Sequence, residues 1–226
     1  LFWFFYYGLL YNERFTRGAS FGDLPFHLNL ISSFAVGCNS RRKSVFDLVS
    51  PFFAKEKLAY PFMSNYFSAI LRGCFHTSLH TALVLPSIIF GFAIFAVLSR
   101  IVLLFSHNYV ACIFAPWLFL FIGGLGFIQF IIHPELRNRF YTDFVHLWGN
   151  QEGSYFQTLV HVLLPQRASL HSLPIAYSIL LLLMIGYKFK KIDVKLYTAI
   201  GLLIASLPQI QPHSIIAVAE YGVTFF

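Results

Sequence analysis

Asp23 and His27 stand four residues apart in Gly22-Asp23-Leu24-Pro25-Phe26-His27, a spacing that puts both on one face of a helix. An aspartate beside a histidine at a membrane surface can take the proton of an acceptor hydroxyl. An Asp with a Pro in the first turn is also a helix N-cap, and one residue can do both. These two are the candidate catalytic residues.

A second group lies in His161-Val162-Leu163-Leu164-Pro165-Gln166-Arg167. Arg167, read as following a helix end at the membrane surface, can pair bidentately with a phosphate or pyrophosphate. The plainer reading is an interfacial arginine holding headgroups. Gln166 and His161 flank it, and Asp143, His146 and Trp148 come shortly before; these line the same pocket or, for Trp148, join an aromatic belt. A third group, Gln209-Ile210-Gln211-Pro212-His213-Ser214, falls at the end of an apolar stretch. There His213 either meets a substrate or is a satisfied structural histidine. Arg167, Gln166, His161 and His213 are the candidate substrate-binding residues.

Other chemistries lack their signatures. His76 and His80 have metal-ligand spacing but no HExxH glutamate, so no metal site is expected, and no cofactor. There is no Walker A loop, GxGxxG or GxSxG. Gly123, Gly124 and Gly126 lie within an apolar run, where they permit close helix packing. Cys38, Cys74 and Cys112 form no CxxC; the first two suit a disulfide only in an extracytoplasmic loop.

The elements that must position these residues are apolar. Of 226 residues, 58% are hydrophobic, 19% aromatic and 11% charged. Disorder is excluded, and too few polar residues remain to coat an ordinary soluble domain. The net charge of +7 is read as membrane topology, not nucleic-acid binding, because the aromatics sit in apolar runs and not among basic residues. The stretches Leu1–Tyr11, Thr81–Phe105, Tyr109–Ile132, Leu173–Tyr187 and Leu196–Ile210 are expected spans or parts of spans, a bilayer needing about 20 residues. A sixth begins near Ser214, and the chain reads as a fragment of a longer one, with Leu1–Tyr11 the end of a first span. Arg100 is the one formal charge inside the five stretches, near enough to a span end to snorkel.

Residues 12–80 and 133–172 form two long polar connections between these spans. Each carries a short helix expected to lie in the interface. In the first, Phe26, Leu30 and Phe34 share a face, with His27 and Asn29 away from it; in the second, Leu159, Val162 and Leu163 precede Pro165. The fold expected is thus all-α and polytopic, with about five to six transmembrane helices plus interfacial helices. Lys188, Lys190, Lys191 and Lys195 crowd one short loop, which is expected to be cytoplasmic. Alternation puts Ser106–Asn108 on that side and the long connections and the Pro208–Ser214 turn opposite. The run Arg41, Arg42, Lys43 in the first long connection opposes this orientation, although the rule is weak for long loops. That run is a solvated or headgroup-facing cluster, or a contact for an anionic donor lipid.

A span, then a long loop opening on an acidic residue, then an interfacial helix, resembles the GT-C superfamily of polytopic membrane glycosyltransferases. The segments GDLPFHLNLI, SPFFAKEKLAYPFMSNYFSAIL, FLFIGGLGF, LLPQRASLHSLP and PQIQPHS fall in an order similar to uncharacterised members. The resemblance implies transfer of a sugar from a polyprenyl-phosphate-linked donor at the luminal or external face, with an acidic residue of the first loop as base. On this chain that residue is Asp23. Many members have two adjacent acids; here the neighbours are Gly22 and Leu24, so a partner acid would come from the second loop, Asp143 or Glu152.

The partners implied are membrane lipid, the lipid-linked donor and further subunits of a membrane complex, in the endoplasmic reticulum or plasma membrane. Two other classes compete. A transporter or lipid-handling protein predicts ionisable residues along a path through mid-membrane, and the stretches are nearly free of them. A non-catalytic subunit of a membrane complex predicts that Asp23, His27 and Arg167 are dispensable.

Overall fold

The computed structural model describes residues 23–121, 132, 158–163, 166–190 and 193–225. Among them the chain is all-helical: α1 (Asp23–Ala35), α2 (Met63–Phe75), α3 (Leu79–Ser106), α4 (Tyr109–Phe121), α5 (Arg167–Lys188), α6 (Val194–Ile210) and α7 (Pro212–Phe225), with a 3₁₀ turn at Val45–Asp47 and a π-helical turn at Thr158–Leu163. The only extended pairing among these residues is an isolated bridge between Val49 and Lys57.

Local chemistry sets the boundaries. Ser78 caps α3, its hydroxyl accepting from the Thr81 N–H at 3.0 Å. The helix ends where His107 turns left-handed (φ 50°) and its N–H returns to the Leu103 carbonyl. Asn108 Oδ1 then accepts from the Val110 N–H at 2.8 Å and starts α4. A two-residue joint therefore folds α4 back on α3, and Ser99 Oγ ties the pair by donating to the Cys112 carbonyl at 2.9 Å. Asp193 caps α6 through the Lys195 N–H, and Pro212 opens α7 at the position where its missing N–H costs least.

α3 and α5 are long and apolar enough to cross a bilayer. At 28 and 22 residues they span about 42 and 33 Å against a hydrocarbon core of about 30 Å. They differ in setting. Only 11% of the most apolar stretch of α3 is buried within the chain, against 39% for α5. Phe92, Ile113, Leu118, Leu202 and Ile216 are each more than 60% exposed, a density of bare apolar side chains that marks a surface met by lipid or by a partner protein. α5 is the central post.

Two apolar clusters pack on that post, and a third lies against the start of α3. Val84, Ile94, Leu120, Leu163 and Leu170 join α3, α4, the π-helical turn and α5. Ala176, Ile179, Ile200, Leu207 and Val218 join α5, α6 and α7. Leu24, Ile31, Phe34, Phe62, Ala69 and Leu83 seat α1 and α2 against the start of α3.

The stretches expected at Thr81–Phe105 and Leu196–Ile210 match α3 and α6 closely, and a helix does begin just before Ser214. Three expectations need correction. α5 starts at Arg167, not Leu173: its first turns, Arg-Ala-Ser-Leu-His-Ser, are polar in sequence but buried against protein, so hydropathy cannot detect them. Arg167 does follow a helical turn, Thr158–Leu163, but it is the buried first residue of the next helix and not a surface residue. His27 lies on the buried face of α1 with Leu24, Leu30, Ile31 and Phe34, because that face packs on α2 and the start of α3; Asn29 does point outward. The three cysteines are free, Cys38 and Cys74 exposed and Cys112 buried. Leu1–Tyr11, residues 122–131 of the expected span Tyr109–Ile132, and Asp143, His146, Trp148 and Glu152 lie outside the described residues.

Candidate polar site at one end of the bundle

Arg167 opens α5 with only 4% of its surface exposed. Its guanidinium reaches two other helices. Nη1 donates to the Leu83 carbonyl of α3 at 3.0 Å, and Nη2 donates to Ser68 Oγ of α2. The α3 partner lies just before Pro86, whose missing N–H removes the helical donor of the neighbouring Ala82 carbonyl. The polar seam on this turn also holds Ser87 Oγ, which donates to the same Leu83 carbonyl at 2.9 Å.

α2 meets this seam with a face of small polar side chains. Ser64, Asn65, Ser68 and Ala69 are its buried residues, a spacing that lets helices approach closely and hydrogen-bond. His27 of α1 and His171 of α5 complete the cluster at 6% and 2% exposure. The His171 ring packs against Phe90 with centroids 4.3 Å apart and lies within electrostatic range of Arg167 and His27. Asn65 hydrogen-bonds the His27 side chain, while His27 Nδ1, His171 Nε2, Asn65 Oδ1 and Ser64 Oγ are buried without a hydrogen-bond partner among the described residues. Burial and then the nearby Arg167 charge depress the His27 pKa to about 4, with Asn65 acting weakly the other way. His27 is therefore neutral at ordinary pH.

Asp23 turns the other way. It is the exposed first residue of α1, where its charge complements the helix dipole. On that outer side Phe26 stacks on Phe52 at 4.9 Å and meets Tyr60 edge-on at 4.7 Å. Burial, and then the Asp23 carboxylate, raise the Tyr60 pKa. The i, i+4 spacing thus does not aim Asp23 and His27 at one point: the carboxylate faces outward beside Tyr60, and the imidazole faces Arg167.

A second network continues from α5 to the joint between α6 and α7. Ser172 Oγ donates to Gln211 Oε1 at 2.5 Å, Gln211 Nε2 donates to Ser169 Oγ at 2.8 Å, and Ser214 Oγ donates to Ser172 Oγ at 2.8 Å. Gln166 joins it by accepting from Ser169 Oγ at 3.0 Å while remaining exposed. His213 is exposed. His161 falls in the π-helical turn, its side chain outside the described residues.

Beyond this network an apolar groove of about 580 Å³ runs between α3, α5 and α7. Its walls include Leu173, Leu180 and Tyr187 along α5, Ile101 on α3 and Val218 on α7, and Ser214 lines it too. Ser214 therefore belongs both to the groove and to the polar network. The volume is that of a small-molecule site, and the length along α5 from Leu173 to Tyr187 is about 21 Å.

Asn65, Ser68 and His171 are the members that sequence reading did not single out. Their signal was the small polar pattern of α2, Ser64-Asn65 followed by Ser68, inside an otherwise apolar helix, and a histidine one turn after Arg167. No protein-family model, curated protein or solved structure matches this chain.

Proposed function

We propose that this chain is a multi-pass membrane protein that binds a lipid-linked sugar and transfers the sugar to an acceptor hydroxyl. One observation carries the reading: an apolar groove as long as much of a span, sharing Ser214 with a hydrogen-bonded polar network at one end. That combination suits an amphiphile with a long hydrocarbon chain and a polar head. The buried Arg167 guanidinium lies at the same end of α5 as the network and favours an anionic head.

In this reading the acceptor oxygen bonds to the anomeric carbon as the bond from that carbon to the phosphate oxygen breaks. The polyprenyl phosphate leaves with the electron pair, and Asp23 takes the acceptor proton. His27 is a positioning residue, its inward ring seating α1 so that Asp23 projects outward. Arg167 anchors α2, α3 and α5 around the head.

The test measures transfer of radiolabelled sugar from a polyprenyl-phosphate donor in membranes containing the full protein. Asp23→Asn should lower transfer by at least about 100-fold, the scale of a lost general base. Ala217 of α7 also lines the groove, and Ala217→Trp should fill it and weaken donor binding. Unchanged transfer by a folded Asp23→Asn protein removes Asp23 from the chemistry. Donor bound without transfer by the wild type favours lipid handling over catalysis.

A further inference from the structure

A second pocket, away from the groove, lies between the end of α1, the loop after it and α2. It holds about 270 Å³ and is lined by Phe34, Phe62, Tyr66 and Ile70 on its apolar side and by Ser40, Arg42, Lys43 and Ser44 on its polar side. We propose that this pocket binds the phosphate headgroup of an anionic bilayer lipid, independently of the lipid-linked sugar reading.

The pocket is built by the fold. At Gly37 a Cβ would come within 2.9 Å of the Ser33 backbone, so glycine lets the chain turn back over α1. Asn39, 4% exposed, then pins the loop in both directions. Its Oδ1 accepts from the Val49 N–H at 2.9 Å, and its Nδ2 donates to the Val49 carbonyl at 2.9 Å and to Ser33 Oγ at 3.3 Å. The loop presents its basic pair at the rim. Among the described residues Arg42 spends only Nε on the protein, donating to the Cys38 carbonyl at 3.4 Å. Both Arg42 and Lys43 are exposed, which leaves the Arg42 Nη groups and the Lys43 ammonium able to reach an anion.

The surroundings select a lipid over a dissolved phosphate. Val45 and Phe46, directly after the basic run, are 59% and 82% exposed, Phe75 at the end of α2 is 68% exposed, and Tyr66 and Ile70 are about 40% exposed. Cations at a rim, aromatic and aliphatic walls below and bare apolar side chains beside it match an amphiphilic anion seated in an interface. This use also explains why Arg41, Arg42 and Lys43 lie in a long connection where the charge rule for short loops gives no reason for them.

Cys74 lines the pocket and is exposed, which supplies a probe. In a Cys38→Ser background, the full chain purified in neutral detergent is labelled at Cys74 with maleimide. Phosphatidylglycerol, phosphatidylcholine of the same acyl chains, or inorganic phosphate is added, and retained lipid is read by native mass spectrometry. Phosphatidylglycerol should be retained and should slow labelling at least about fivefold, with the other two without effect. Arg42→Gln with Lys43→Gln should weaken phosphatidylglycerol retention about tenfold or more. Arg42→Lys with Lys43→Arg, which keeps both charges, should restore it, and Lys55→Gln with Lys57→Gln, outside the pocket, should leave it unchanged. Equal protection by phosphatidylcholine, protection by inorganic phosphate alone, or full retention by the doubly neutralised protein overturns the proposal.

Discussion

At the scale of single residues, a spacing rule and a packing environment gave different answers. Asp23 and His27 are four apart, yet the carboxylate is exposed and the ring is buried. Helical periodicity states which residues share a face to within a broad arc, and the edge of the buried face on α1 falls between them. The His27 environment has a measurable consequence. Its pKa is about 4 in the folded chain against about 6.5 unfolded. Below pH 6.5 the unfolded chain takes up a proton that the folded chain refuses until about pH 4, so stability falls as pH drops through that window. The loss reaches about 3 kcal/mol at 1.36 kcal/mol per unit. His27→Gln should lessen the dependence over that range without abolishing it, since His171 is buried in the same cluster; denaturant unfolding in detergent at a series of pH values checks this.

At the scale of elements, α5 is tied to α3 at both ends. Arg167 donates to the Leu83 carbonyl and Lys188 donates to the Leu104 carbonyl at 2.6 Å, both partners lying 84 residues back in sequence. The two helices therefore run parallel, in a register held for 21 residues, or about 32 Å. The clamps are unequal because their surroundings are. Arg167 is buried and bridges three helices, so Arg167→Ala should cost about 2–3 kcal/mol, the range for lost hydrogen bonds to a charged group. Arg167→Lys should recover only part, since one ammonium lacks the fork that reaches Leu83 O and Ser68 together. Lys188→Ala, at an exposed site, should cost no more than about 1 kcal/mol. Unfolding in mixed micelles measures all three. The α5 start was illegible in sequence for the same reason: a polar turn facing protein looks like a loop to any reading that scores transfer into lipid.

At the scale of the whole molecule, the parallel register of α3 and α5 puts Ser106–Asn108 and the lysine-rich turn after Lys188 at one end. The α1–α2 layer, Arg167 and the Gln211 joint lie at the other. That grouping agrees with the alternation expected from the apolar stretches. In a cysteine-free, sealed-vesicle background, Phe46→Cys and Phe189→Cys should therefore react with an impermeant maleimide from opposite sides; labelling of both from one side would break the arrangement. The sequence alone determined where apolar helices α3 and α6 run, that few charges enter them, and which loops collect polar residues. Those properties follow from the cost of charge in hydrocarbon and from helical rise, both of which are local. The tertiary structure alone decided that His27 and Arg167 face inward, that Asn65, Ser68 and His171 join them, and that a groove opens beside Ser214. Each depends on which helix lies opposite, and contacts 84 and 99 residues apart leave no periodic trace in the chain that makes them.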